Sequence, residues 1–301
     1  MSKIKFYIQA ARLRTLPLSV SGIIVGAGMA YSENKFNLTI FILSILTTIG
    51  FQVLSNFAND YGDGIRGTDD NREGELRLIA AGLISPKQMK NAIIITIIIT
   101  FLCVTALIFE SFGKSNIIKS LVFFLLGVAS ILAAIKYTVG KSAYGYSGLG
   151  DVFVFLFFGI LGVLGSYYLY THNIDNLWLI LPASAFGMLS ASVLNLNNMR
   201  DQIQDEKANK NTLVVKLGSK KAKTYHYSLI IGSLLLLSIF RIKQDTLSYN
   251  FWIFLIAFIP LFFNLKVISK NKKFSELDSE LKKVALATFI CSILFSVAYF
   301  F

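Results

Sequence analysis

Six of the 17 acidic residues in this 301-residue chain fall between positions 60 and 75: Asp60, Asp63, Asp69, Asp70, Glu73 and Glu75. A second group, Asp201, Asp205 and Glu206, follows Asn197-Asn198-Met199-Arg200. On a helix Asp60 and Asp63 share a face at i,i+3, and Asp201 and Asp205 share one at i,i+4. Paired anions at the C-terminal ends of helices oppose the macrodipole and repel each other, which is costly unless a cation sits there. Oxygen ligands without His or Cys point to Mg2+, which binds through a few carboxylates and substrate phosphates. Basic side chains accompany both groups: Arg66, Arg72 and Arg77 beside the first, Arg200, Lys207 and Lys210 beside the second, and Lys141 in Tyr137-Thr138-Val139-Gly140-Lys141. Carboxylates that hold Mg2+, with Lys and Arg between them, make a seat for a diphosphate. Glu73, Glu75, Lys220, Lys221 and Lys223 read as ordinary solvated loop charges.

The elements that position these groups are membrane helices. Apolar residues make up 54% of the chain and charged residues only 15%, with mean hydropathy +0.62. So much apolar surface needs lipid as its solvent, and helices are the spans that satisfy their own backbone there. Apolar length and loop charge predict nine spans, at 16–32, 38–58, 91–109, 117–136, 149–170, 177–197, 227–240, 251–268 and 284–301. The expectation is a single all-α, polytopic membrane domain over 1–301, with both Asp-rich motifs at one face.

Of the 29 Lys and Arg, 24 fall on one side of this arrangement and five on the other: Lys35, Lys114, Lys119, Arg241 and Lys243. The positive-inside rule puts the richer side, N-terminus included, in the cytoplasm of a cell-membrane protein. The formal charge of +12 is then a loop bias and not a nucleic-acid footprint. Lys3, Lys5, Arg12 and Arg14 precede the first apolar run, but with Phe6, Ile8 and Leu13 they read as an interfacial helix leading to Pro17, not a cleaved leader. Cys103 and Cys291 lie in apolar runs as packing residues. His172 and His226 are expected at the periphery, without a role.

Asn59-Asp60-x-x-Asp63, Tyr137-x-x-x-Lys141 and Arg200-Asp201-x-x-x-Asp205 resemble the UbiA superfamily of intramembrane aromatic prenyltransferases over nearly the whole chain. The resemblance narrows to the branch that prenylates 1,4-dihydroxy-2-naphthoate in menaquinone synthesis. It does so on Asn59-Asp-Tyr-Gly-Asp63 with Gly67-Thr68-Asp69, Tyr144-Gly-Tyr146, Gly148-Leu-Gly-Asp151, Asn197-Asn-Met-Arg-Asp201 and Lys210-Asn-Thr-Leu213. The wider superfamily places a third Asp where this chain has Gly67, and the naphthoate branch shifts it to Asp69.

The resemblance implies Mg2+ held by Asp60, Asp63, Asp201 and Asp205, with Asp69 a less secure ligand. It implies a polyprenyl diphosphate whose departing charge meets Lys141, Arg200 and Lys210, with Asn59, Arg77 and Asn198 as further substrate contacts. Tyr137 and Asp151 are placed on the acceptor side, with Lys141 beside them, and the products are demethylmenaquinone, CO2 and diphosphate. A 4-hydroxybenzoate, haem O or chlorophyll-type prenyltransferase is the alternative within the superfamily. Outside it, a cation-coupled transporter would also carry acidic groups near helix ends, but here they cluster at one face and not near the midplane.

Overall fold

A computed structural model describes residues 3–67, 77–114, 116–140, 143–244 and 249–299. Among these residues all regular structure is helical. A short helix α1 (Lys3–Ala10) precedes nine long ones. They are α2 (Leu16–Ser32), α3 (Leu38–Arg66), α4 (Pro86–Phe112), α5 (Ile117–Lys136), α6 (Gly150–Thr171), α7 (Leu177–Lys207), α8 (Leu213–Lys243), α9 (Asn250–Lys270) and α10 (Asp278–Val297). Eight spans, the first counted from Ile4, are long and apolar enough to cross a bilayer unaided. The ninth, α10, carries Asp278, Glu280, Lys282 and Lys283 in its first turns and becomes apolar from Val284. The protein is a polytopic all-α membrane protein.

Several helices outrun the apolar stretches that announce them. α3 has 29 residues and α7 has 31, so at about 1.5 Å per residue each exceeds the roughly 30 Å hydrocarbon core by about two to three turns. The extra turns of α3 and α7 carry the two Asp motifs beyond the apolar layer at the same end of the bundle. The span expected at 227–240 extends back to a kink at Gly218 (φ 73°), because Lys220, Lys221 and Lys223 lie on the helix and not in a loop; a short helical turn from Leu213 that carries Lys216 precedes the kink. Charge bounds the part of a helix inside lipid, not the helix itself.

Small residues bring the backbones together. A Cβ on Gly159 of α6 would fall 2.5 Å from both the Ala183 carbonyl oxygen and the Gly187 Cα of α7, so larger residues would part these helices. Residues Phe155–Gly165 of α6 are π-helical. At the end away from the Asp motifs, Arg241 is not a loop charge as the basic count assumed. It is fully buried, donates to the Phe295 carbonyl at 2.6 Å and lies 3.8 Å from the Phe295 ring centroid.

α1 breaks off at Arg12, whose backbone is left-handed at φ 49°. Asn56 of α3 holds this turn by donating to the Ala11 carbonyl at 2.8 Å. Ile4, Ile8 and Leu13 are exposed, as an interfacial segment requires.

Candidate active site

The last turns of α3 bury Asp60 and Asp63 at 2% exposure each. What packs on them is the segment after α5. Gly62 makes this possible, since a Cβ there would lie 2.8–2.9 Å from the Thr138 Oγ1, carbonyl carbon and carbonyl oxygen. The Thr138 hydroxyl donates toward the Ala58 carbonyl (3.0 Å) and Asn59 Oδ1 (3.2 Å), which fixes Asn59 at the cavity wall.

The turn Tyr144-Gly145-Tyr146 then reaches back. The Tyr146 hydroxyl donates to Asp63 Oδ1 at 2.7 Å, and the Arg66 guanidinium lies 4.1 Å from the Tyr146 ring centroid. The Tyr144 ring stacks on Phe153 at 3.9 Å and meets Tyr137 edge-on at 5.3 Å. Enclosure by protein, followed by the charge of nearby Asp151, pushes the Tyr137 phenol well above its ordinary range, and enclosure does the same to Tyr144. Both phenols therefore stay protonated, and the Tyr144 hydroxyl donates to the Ala133 carbonyl at 2.9 Å.

α7 supplies the second motif. Asp201 and Asp205 are buried at 4% and 6% exposure, and Asn198 at 5%. Arg200 forks onto Asp201, with Nε 2.8 Å from Oδ1 and an η nitrogen 2.9 Å from Oδ2. Lys210 follows the helix and turns inward, its backbone N–H bonded to the Asp205 carbonyl at 2.7 Å. Its ammonium lies 3.5 Å from Asp63 Oδ2 and 3.8 Å from Asp205 Oδ1, so one cation joins the two motifs. The Asn211 N–H donates to the Tyr146 carbonyl at 3.1 Å, completing the meeting of two loops with the end of α3.

Beside this junction lies a cavity of about 390 Å3; of the four motif aspartates Asp63 lines it, while Asp60, Asp201 and Asp205 are buried outside its lining. Asn59, Asp63, Arg77, Tyr137, Asn198 and Lys210 line its polar end, and Phe51, Phe123, Phe157, Phe158, Leu161 and Leu169 line its apolar depth. The chamber thus accepts an amphiphile, charged at one end and hydrocarbon along the rest. Asp151 is buried at the start of α6 beside Tyr137 and Tyr225, one layer behind the wall. Lys141 and Asp69 lie outside the described residues.

Among the described residues, no three acidic, His or Cys side chains converge as a ready metal cage. The donor set nevertheless suits Mg2+: buried carboxylates on two helices face each other across a position held here by the Lys210 ammonium. An incoming divalent ion would take over that charge balance.

Motif reading missed Arg12, Arg14, Gln52 and Asn56, which also line the cavity. A signal for two of them exists: Gln52, Asn56, Asn59 and Asp63 recur at i, i+4, i+7 and i+11 in an apolar helix. His226 is the opposite case. It is fully buried, not peripheral, and its Nε2 lies 2.8 Å from Asn264 Oδ1, while Asn264 in turn donates to buried Glu280 at 2.8 Å. This chain ties α8, α9 and α10 together through polar groups.

An amphiphile chamber capped by Asp63 and Lys210, with Lys210 reaching on to Asp205 of the second motif, within a helical bundle defines a class of intramembrane transferase. The chain belongs to the UbiA prenyltransferase family, whose model matches residues 19–299. It is 42% identical to 1,4-dihydroxy-2-naphthoate octaprenyltransferase of Haemophilus influenzae over 98% of this chain and 96% of that protein. It is also 42% identical to the Escherichia coli protein of the same name, over 85% and 82% of the two chains. The fold matches a UbiA homolog from Archaeoglobus fulgidus, bound to GPP and Mg2+, with TM-score 0.71 at 17% identity, over 99% of this chain and 98% of that one.

Proposed function

We propose that this protein transfers a polyprenyl group from polyprenyl diphosphate to 1,4-dihydroxy-2-naphthoate, releasing diphosphate and CO2. The observation that carries this is the 42% identity, across nearly the whole of both chains, to an enzyme named for that acceptor. The amphiphile cavity agrees with it, offering a polar seat for a diphosphate and an apolar depth for an isoprenoid tail.

Asp60, Asp63, Asp201 and Asp205, with Asp69 as a further candidate, would hold Mg2+ at the polar end. Bound there, Mg2+ would neutralise the diphosphate as it departs. Lys210 would exchange its carboxylate partners for phosphate oxygens, with Arg77, Lys141, Asn59 and Asn198 completing the seat. Arg200, expected there from the resemblance, is instead held by Asp201, Asn197 and Asp278 and would order Asp201. The allylic C–O bond breaks, and its electron pair leaves with the diphosphate. The apolar walls keep water from the allylic cation, and aromatic faces among them stabilise it. The ring carbon bearing the carboxylate attacks; CO2 then leaves, and its bonding pair restores the aromatic ring. Tyr137 would orient the acceptor by hydrogen bonding, with Asp151 supporting it from behind.

The basic-residue bias supports a cell-membrane location with this polar end, and the N-terminus, on the cytoplasmic side. The test uses purified protein in detergent, a polyprenyl diphosphate and acceptor labelled at its carboxyl carbon. Labelled CO2 should appear in step with prenylated product and only with Mg2+. Prenylation that retains the label would refute the proposed reaction.

A further inference from the structure

Asp278, on the first turn of α10, belongs to neither Asp motif, yet it reaches the second one through Arg200. The three guanidinium nitrogens of Arg200 are all engaged: with Asp201 (2.8 and 2.9 Å), with Asn197 Oδ1 (2.8 Å), and with Asp278 Oδ1 (2.5 Å). Arg200 is buried at 8% exposure, whereas the Asp278 side chain is 43% exposed. The other Asp278 oxygen lies 3.5 Å from Arg14, which lines the cavity. Two arginines and two aspartates therefore form a neutral group that joins α7, α10 and the N-terminal segment.

Arg200 takes one lone-pair direction on each Asp201 oxygen, so a cation that binds Asp201 shares that carboxylate with a buried guanidinium. Drawing the counter-ion's charge away from a buried guanidinium is costly, and that cost weakens the incoming cation's binding. Asp278 lowers the cost by keeping a second carboxylate on Arg200 while Asp201 takes a second partner. The N-terminal dipole of α10 favours an anion at this point. We propose that Asp278 is a positioning residue: it holds Arg200 so that Asp201 is available to Mg2+. This rests on the assignment of a Mg2+-diphosphate site above.

The test compares full-length protein in detergent with its Asp278→Asn and Asp278→Glu variants. Calorimetric binding of inorganic diphosphate is measured against Mg2+ concentration, alongside the Mg2+ dependence of prenyl transfer and the melting point without ligand. Because the Asp278 side chain is partly exposed, the shift is modest: Asp278→Asn should raise half-saturating Mg2+ about three- to fivefold in both assays. Its unliganded melting point should hold, and Asp278→Glu should restore the wild-type Mg2+ response. An unchanged Mg2+ dependence in Asp278→Asn, with wild type responding, would overturn the positioning role alone. A large loss of melting point in Asp278→Asn would overturn it too, marking a structural strut. Diphosphate binding by wild type that ignores Mg2+ would overturn both the role and the metal assignment beneath it.

Discussion

Lys210 and Asp63 stand 147 positions apart in the chain, yet the lysine ammonium lies 3.5 Å from Asp63 Oδ2. That contact joins the end of α3 to the loop after α7. It places the two acidic motifs around one charge-balanced volume at the polar end of the cavity.

Replacing Asp60, Asp63 or Asp205 singly by Asn should leave the protein in the membrane and lower kcat by about 100-fold or more, the scale of losing one preorganised electrostatic group. Steady-state kinetics on membrane fractions matched for protein amount will check this. Wild-type turnover at limiting Mg2+ in any two variants would exclude the shared site.

Tyr146→Phe removes only the hydroxyl that donates to Asp63 and keeps the ring under Arg66. A hydrogen bond to a charged group contributes about 1.5–3 kcal/mol, so a loss of roughly tenfold or more in kcat/KM is expected. The effect should be smaller than that of Asp63→Asn in the same assay.

Gly62→Val should uncouple α3 from the Tyr137-Thr138 segment, since even a Cβ at this position meets Thr138 backbone at 2.9 Å. The expected outcome is a lower melting point in detergent together with severe loss of activity. A folded, active Gly62→Val protein would show that the two segments need not touch.

The basic-residue bias predicts that loops 59–90, 137–148, 198–226 and 269–283 face the cytoplasm and that 171–176 faces the other side. Single cysteines in a background lacking Cys103 and Cys291 will report this by labelling with a membrane-impermeant reagent. Opposite labelling of 59–90 and 198–226 would contradict the contact of Lys210 with Asp63.

The bundle was legible because lipid imposes one rule on every span: apolar length. Asp60, Asp63, Asp201 and Asp205 stood out because carboxylates are rare in such a chain and were paired at helical spacing. What escaped notice depends on tertiary approach. Asp278 carries no local pattern, and only the packing of α10 on α7 brings it to Arg200. Arg241 and His226 looked like loop or peripheral residues because sequence shows charge and polarity but not the aromatic or Asn partner that buries them. The helix ends were misjudged for a related reason: the polar turns that carry the motifs lie beyond the lipid, where hydropathy falls silent.

The most direct test offers purified protein equal concentrations of 1,4-dihydroxy-2-naphthoate and 4-hydroxybenzoate, with one polyprenyl diphosphate and Mg2+, and identifies products by mass. The expected product is the prenylated naphthalenediol, lighter by CO2 than the simple adduct, with little prenylated 4-hydroxybenzoate. Preferential prenylation of 4-hydroxybenzoate with its carboxylate retained would contradict it.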